Sequence, residues 1–145
     1  MNQRYILLVE DNPDDEELTL LSLRKHPLGH EIIVVRDGVE AIEFLFGEGK
    51  YAGRDTSMTP TIVLLDLKLP KLDGIGVLKR LRADERTRIL PVVVLTSSSQ
   101  EADVIASYNF GANSYVRKPV EFSAFLDAVS QLGVYWVMVN RPPAQ

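Results

Sequence analysis

Cysteine is absent from the sequence. Disulfides, thiolate metal sites and thiol chemistry are therefore excluded. Long hydrophobic runs are missing as well. No apolar stretch approaches the roughly 20 residues of a membrane span, so no membrane role is expected. Nor is there an excess of positive charge: 16 Lys and Arg stand against 20 Asp and Glu, a net charge of −4. That balance gives no general pull toward nucleic acid. Met1 to Arg4 lead straight into a strand-like run with no signal-peptide pattern, and the default expectation is a cytoplasmic protein. What remains is a chain of 145 residues, 46 % apolar and 25 % charged, which suits one globular domain with its own core.

Short apolar runs alternate with amphipathic segments. The runs are Tyr5–Val9, Ile32–Val35, Thr61–Leu65, Val92–Leu95 and a weaker Ser114–Val116. They are largely β-branched and nearly continuous, as strands buried on both faces are. Asn12 followed by Pro13 and four acidic residues marks a helix start. Leu18, Leu21 and Leu23 then offer an inward face. Val39, Ile42 and Leu45 do so for a second helix, Ile75, Leu78 and Leu81 for a third, and Ala102, Ile105 and Ala106 for a fourth, with Ser99 as its cap and Gly111 as its stop. A last helix is expected over about 122–139. Five strands alternating with five helices predict an α/β domain with a doubly wound parallel sheet. Gly47 to Pro60 is a long polar connection, read as a surface insertion, with a partner-contact loop as the sharper option.

Sheets of this kind bind ligands beyond the C-terminal ends of their strands. Glu10 and Asp11 follow the first strand, Asp66 the third, Thr96 ends the fourth, and Lys118 and Pro119 follow the fifth. Such a set places three carboxylates, a hydroxyl and an ammonium in one pocket. Crowded carboxylates need a cation among them. Lys118 offsets part of the charge. Oxygen ligands without His or Cys select a hard, partly hydrated ion, and Mg²⁺ fits. Such a site is suited to a phosphoryl group, with Asp66 as the nucleophile and Thr96 and Lys118 on the phosphoryl oxygens. Taken singly, each residue has an ordinary reading: Glu10 and Asp11 as helix-start acidity, Thr96 as a strand residue, Lys118 as a solvated lysine. Asp66 is harder to dismiss, because a charge beside Ile62–Leu65 and Leu67 is costly unless it is paired or functional.

The chain resembles the receiver domain of two-component response regulators. The matching stretches are Ile6 to Asn12, Leu64 to Pro70 running on to Asp73-Gly74, Val94 to Ser97, and Gly111 to Pro119. The insertion and the aromatic-rich Gly133-Val134-Tyr135-Trp136 make it most similar to the stand-alone phytochrome-associated regulators. The resemblance implies a CheY-like, flavodoxin-like sheet of order 2-1-3-4-5. It implies that Asp66 accepts a phosphoryl group from a histidine kinase, with Asp11, Asp66 and the backbone carbonyl of Lys68 on Mg²⁺ and Glu10 acting through water. It implies a switch made of Thr96 and Tyr115, and a cis bond between Lys118 and Pro119. In the family it resembles, the positions held here by Lys68 and Ser98 tune access of the hydrolytic water.

No output domain is expected, since only Asn140 to Gln145 follow the last helix. The signal would then be a protein–protein contact. The apolar end of that helix, with Phe122, Tyr135 and Trp136 as candidate anchors, suggests a homodimer. His26 and His30 are read as helix-end charges without ligand or phosphocarrier roles. Three other readings compete. A pseudo-receiver that binds constitutively is disfavoured by the intact acidic, hydroxyl and ammonium positions. A phosphatase acting through an aspartyl phosphate would want a second acid where Lys68 stands. A flavin protein would want a phosphate-cradling loop where acidic Glu10–Pro13 stands.

Overall fold

The computed structural model describes residues 4–24, 30–98, 100–118, 127, 130–131 and 134–141. The strands are β1 (Tyr5–Val9), β2 (Glu31–Val35), β3 (Ile62–Leu65), β4 (Val92–Thr96) and β5 (Ser114–Arg117). The helices are α1 (Pro13–Arg24), α2 (Gly38–Phe46), α3 (Gly74–Arg82) and α4 (Glu101–Asn109). Residues 127, 130, 131 and 134 are helical, and a π-helical turn follows at Tyr135–Val139. All strand pairs are parallel, in the order β2-β1-β3-β4-β5.

The strands divide the core by their two-residue period. Tyr5, Leu7, Val9, Val63 and Leu65 face one layer with Phe44, Leu45, Val77, Leu78 and Leu81 of α2 and α3. Ile6, Leu8, Ile62 and Leu64 face the other with Leu23 of α1 and with Trp136 and Val137 of the π turn. Central β1, β3 and β4 are buried throughout, whereas β2 and β5 are only partly covered because they are the edges.

Three inward faces differ from the expectation. Leu21 is half exposed, and α1 instead buries Thr19, Ser22 and Leu23. Thr19 and Ser22 donate their hydroxyls to the carbonyls of Asp15 and Leu18, at 2.7 Å each, so the polar groups enter the core satisfied. In α4, Ala102 and Ile105 turn outward and Ser107 is buried, its hydroxyl on the Asp103 carbonyl at 2.8 Å. Val39 of α2 is also exposed. Gly111, at φ 92°, ends α4 as expected, while the N-cap of α4 is Gln100, which makes no side-chain cap bond, and not Ser99, which lies outside the described residues.

The 47–60 connection is packed, not merely tolerated. It contains a 3₁₀ turn at Gly49–Tyr51. The Tyr5 hydroxyl donates to the Met58 carbonyl at 2.6 Å, and Arg54 donates to the carbonyls of Phe44 (3.0 Å) and Met58 (2.8 Å) and to the Tyr5 hydroxyl. Its guanidinium lies 3.9 Å from the centre of the Phe44 ring. Replacing Arg54 with Ala removes both the stack and the hydrogen bonds. The expected loss is about 1–3 kcal/mol in denaturant unfolding, with the parallel sheet intact by circular dichroism.

Candidate functional site

Register brings the strand ends together. Val9 of β1 pairs with Leu65 of β3, so Glu10 and Asp66 leave the sheet side by side, and the Asp66 amide donates to the Val9 carbonyl at 3.1 Å. Thr96 of β4 pairs with Arg117 of β5, and the Lys118 amide donates to the Thr96 carbonyl at 2.7 Å. The chain order reverses at β1 and β3, the crevice where ligands bind in such sheets. Gly74 holds the loop beyond Asp66 close to α3. A Cβ there would lie 2.4 Å from the Asp66 carbonyl oxygen.

Lys118 is the centre of the site. Its side chain is only 6 % exposed, and Nζ donates to Glu10 Oε1 at 2.6 Å, Asp15 Oδ2 at 2.8 Å and Asp66 Oδ2 at 3.0 Å. Burial opposes its charge, but the hydrogen bonds to Asp15 and Glu10 and the fields of Asp66 and Glu10 outweigh that and raise its pKa. Burial pushes Glu10 up to about 7 against the pull of Lys118, with the Asp66 charge adding to the rise. The second oxygen of each buried carboxylate also has a partner. The Asn12 amide donates to Glu10 Oε2 and the Lys68 amide to Asp66 Oδ1, both at 3.2 Å.

Glu10, Asp11 and Asp66 each offer an oxygen, and the three lie within 4.8 Å of one another. Glu10 and Asp66 are buried and Asp11 is exposed. This all-oxygen set, with one member open to solvent, can coordinate a hard divalent cation. Thr96 is fully buried, and its hydroxyl accepts from the Ser98 amide at a long 3.4 Å. Tyr115 is partly buried, and its hydroxyl donates to the Ser98 carbonyl at 2.7 Å. The Ser98 hydroxyl in turn reaches Asp103 of α4. Pro119 and Phe122 lie outside the described residues, and with them the expected cis bond and one dimer candidate.

Of the other candidates, Trp136 packs on the protein's own sheet, while Tyr135 and Val139 are 49 % and 63 % exposed. His30 sits just ahead of β2, and its Nε2 lies 3.1 Å from the Thr61 hydroxyl, while His26 lies outside the described residues. Asp15 was not singled out by sequence, being one of four acids at a helix start. The signal was there: helical side chains tilt toward the N-terminus, so an acid in the first turn of α1 leans back over the strand ends. Asn12 fixes that turn, its Oδ1 accepting from the amides of Asp14 (2.9 Å) and Asp15 (3.1 Å). Among the described residues, no helix is long and apolar enough to cross a membrane.

Residues 6–130 match the family described as the response regulator receiver domain. The chain is 38 % identical to the response regulator Rcp1 of Synechocystis sp. over 141 residues, 97 % of this chain and 94 % of that one. It superposes on the phosphorylated cyanobacterial phytochrome response regulator RcpA with a TM-score of 0.90 at 37 % identity, covering 98 % of this chain and 99 % of that one. It is 49 % identical to the bacteriophytochrome response regulator AtBRR, with a TM-score of 0.72 and coverage of 97 % and 100 %. Rcp1 has also been solved in a Mn²⁺-bound form.

The Glu10 carboxyl titrates near neutrality in the metal-free protein, and only its charged form welcomes a cation. Because the folded-state pKa lies above the ordinary carboxyl value, Glu10 holds a proton below about 7 and loses it above. Divalent-cation affinity, followed by calorimetry, should therefore rise as pH increases through 7. Below that value, binding should release protons, seen as a binding heat that depends on the buffer.

Proposed function

The chain belongs to the response regulator receiver family, and from that premise we propose that it accepts a phosphoryl group on Asp66 from a partner histidine kinase in a Mg²⁺-dependent reaction. The observation that carries this reading is the buried Lys118 ammonium held between Glu10, Asp15 and Asp66, beside an acidic cluster fit for a cation. An Asp66 carboxylate oxygen attacks the phosphorus of the phosphohistidine. The O–P bond forms as the P–N bond breaks, and the departing nitrogen keeps the electron pair and takes a proton from water. Lys118 and the Thr96 hydroxyl hold phosphoryl oxygens. Glu10, Asp11, Asp66 and the Lys68 carbonyl would hold Mg²⁺, which supplies positive charge to the transferring group. The family is not one of conventional enzymes, since the covalent chemistry falls on the receiver itself.

The output in this reading is a protein contact made in the cytoplasm by the receiver, with Thr96 and Tyr115 as the switch. The phytochrome-associated relatives point to a phytochrome-type kinase as the donor. The exposed Tyr135 and Val139 support a homodimer through the end of the last helix.

Intact mass after incubation with a small acyl-phosphate donor tests the chemistry. One added phosphoryl group is expected with Mg²⁺, and none without Mg²⁺ or in Asp66→Asn. A wild type that gains nothing under any condition removes the proposal. For the dimer, sedimentation should give twice the chain mass for the wild type. Tyr135→Asp with Val139→Asp should return the mass of a monomer with unchanged secondary structure. A wild type that sediments as a monomer at all concentrations sinks the dimer.

A further inference from the structure

We infer that Asp15 is a positioning residue that competes with the incoming phosphoryl group for Lys118, and so sets how readily Asp66 is phosphorylated. The inference rests on the proposed phosphoryl chemistry and deepens it.

An ammonium has three N–H donors. All three are spent in this structure, on Glu10, Asp15 and Asp66. A phosphoryl oxygen can bond Lys118 only if one of these partners gives way. The three are not equally free to do so. The Glu10 and Asp66 side chains are 1 % and 8 % exposed, and each is tied through its second oxygen to a backbone amide. Stripped of the lysine, Glu10 would be left as a poorly solvated charge, and so would Asp66 for as long as its carboxylate is not yet esterified. The Asp15 side chain is 31 % exposed, at the mouth of the site on the first turn of α1. Water can replace the lysine there at low cost. Until Asp66 is esterified, Asp15 is therefore the partner that yields, and breaking its 2.8 Å contact is part of the cost of bringing the donor's phosphoryl group onto Lys118.

Removing that contact should favour the phosphoryl group. Asp15→Asn leaves a weaker acceptor of nearly the same shape, so the lysine stays in place under Glu10 and Asp66 while its third donor is freed. Simple relief of repulsion on an anionic donor would look similar. Asp14→Asn controls for it, because Asp14 is exposed, next in sequence, and makes no contact with Lys118 among those seen.

The experiment uses the full chain at saturating Mg²⁺. The rate of phosphoryl gain is followed against the concentration of a small acyl-phosphate donor, and the affinity for beryllofluoride, a phosphoryl mimic, is measured by calorimetry. Asp15→Asn should reach half-maximal rate at ~5-fold lower donor concentration and bind beryllofluoride tighter by a similar factor, the upper scale of one partly exposed ion pair. Asp14→Asn should match the wild type in both. Melting curves establish that the variants are folded. Should Asp15→Asn be too unstable to assay, Asp15→Ser serves the same test. Equal or slower phosphorylation in the Asp15 variant overturns the inference, and so does an equal gain in Asp14→Asn. A wild type that takes no phosphoryl group condemns the parent reading instead, so the two failures are distinguishable.

Discussion

The site depends on one buried cation shared by three anions. Lys118 reaches across 108 residues of sequence to Glu10 and 52 to Asp66, and closes on Asp15 as well. A buried charge costs several kcal/mol unless its partners and hydrogen bonds compensate it, and each N–H of this ammonium has an acceptor. The same contacts join the ends of β1, β3 and β5 to the first turn of α1. They leave a surplus all the same, because three carboxylates share a single ammonium and a fourth, Asp11, stands beside two of them. Burial, with the Asp66 charge added to it, raises Glu10 toward neutrality. A proton or a divalent ion relieves the surplus, and the two exclude each other at that carboxylate.

The framework works by register. Parallel strands paired one residue short of their functional side chains deliver those side chains to the same level. β1 is the clearest case. Its last residue leads into Glu10, while Tyr5 at its far end secures the 47–60 connection through Met58 and Arg54. The insertion thus grips the base of the strand that carries the site at its top.

Much of this was legible in the sequence, for physical reasons. Strands buried on both faces must be apolar throughout, so all five runs were recognisable to within a residue or so at their ends. Residues that follow such runs are the chemistry-bearing ones, which is why Glu10, Asp66, Thr96 and Lys118 stood out. Helix faces were less legible, because Thr19, Ser22 and Ser107 bury their hydroxyls on backbone carbonyls four residues back and so pass for surface residues in a hydropathy pattern. Asp15 escaped for a related reason. Acids in a first turn are expected for the helix dipole alone, and only the three-dimensional return of β5 shows that one of them has a partner. The packing of the 47–60 connection depends on long-range contacts between Tyr5, Arg54 and Phe44 that no local pattern announces.

Ser98 connects this centre to the surface. Its amide meets the Thr96 hydroxyl, its carbonyl takes the Tyr115 hydroxyl, and its own hydroxyl reaches Asp103 on α4. A phosphoryl oxygen that draws Thr96 away must therefore break or move a junction shared by the aromatic ring and the helix. The 3.4 Å bond from the Ser98 amide to the Thr96 hydroxyl is the longest of the three, so it is the one that yields first when that hydroxyl moves to a new acceptor. On the proposed chemistry, the added negative charge enters a pocket already short of cations. Metal and phosphoryl group must then stabilise one another, and by linkage each raises the affinity for the other by the same factor. On this proposed reading, the switch is one two-ligand equilibrium, read out through Ser98.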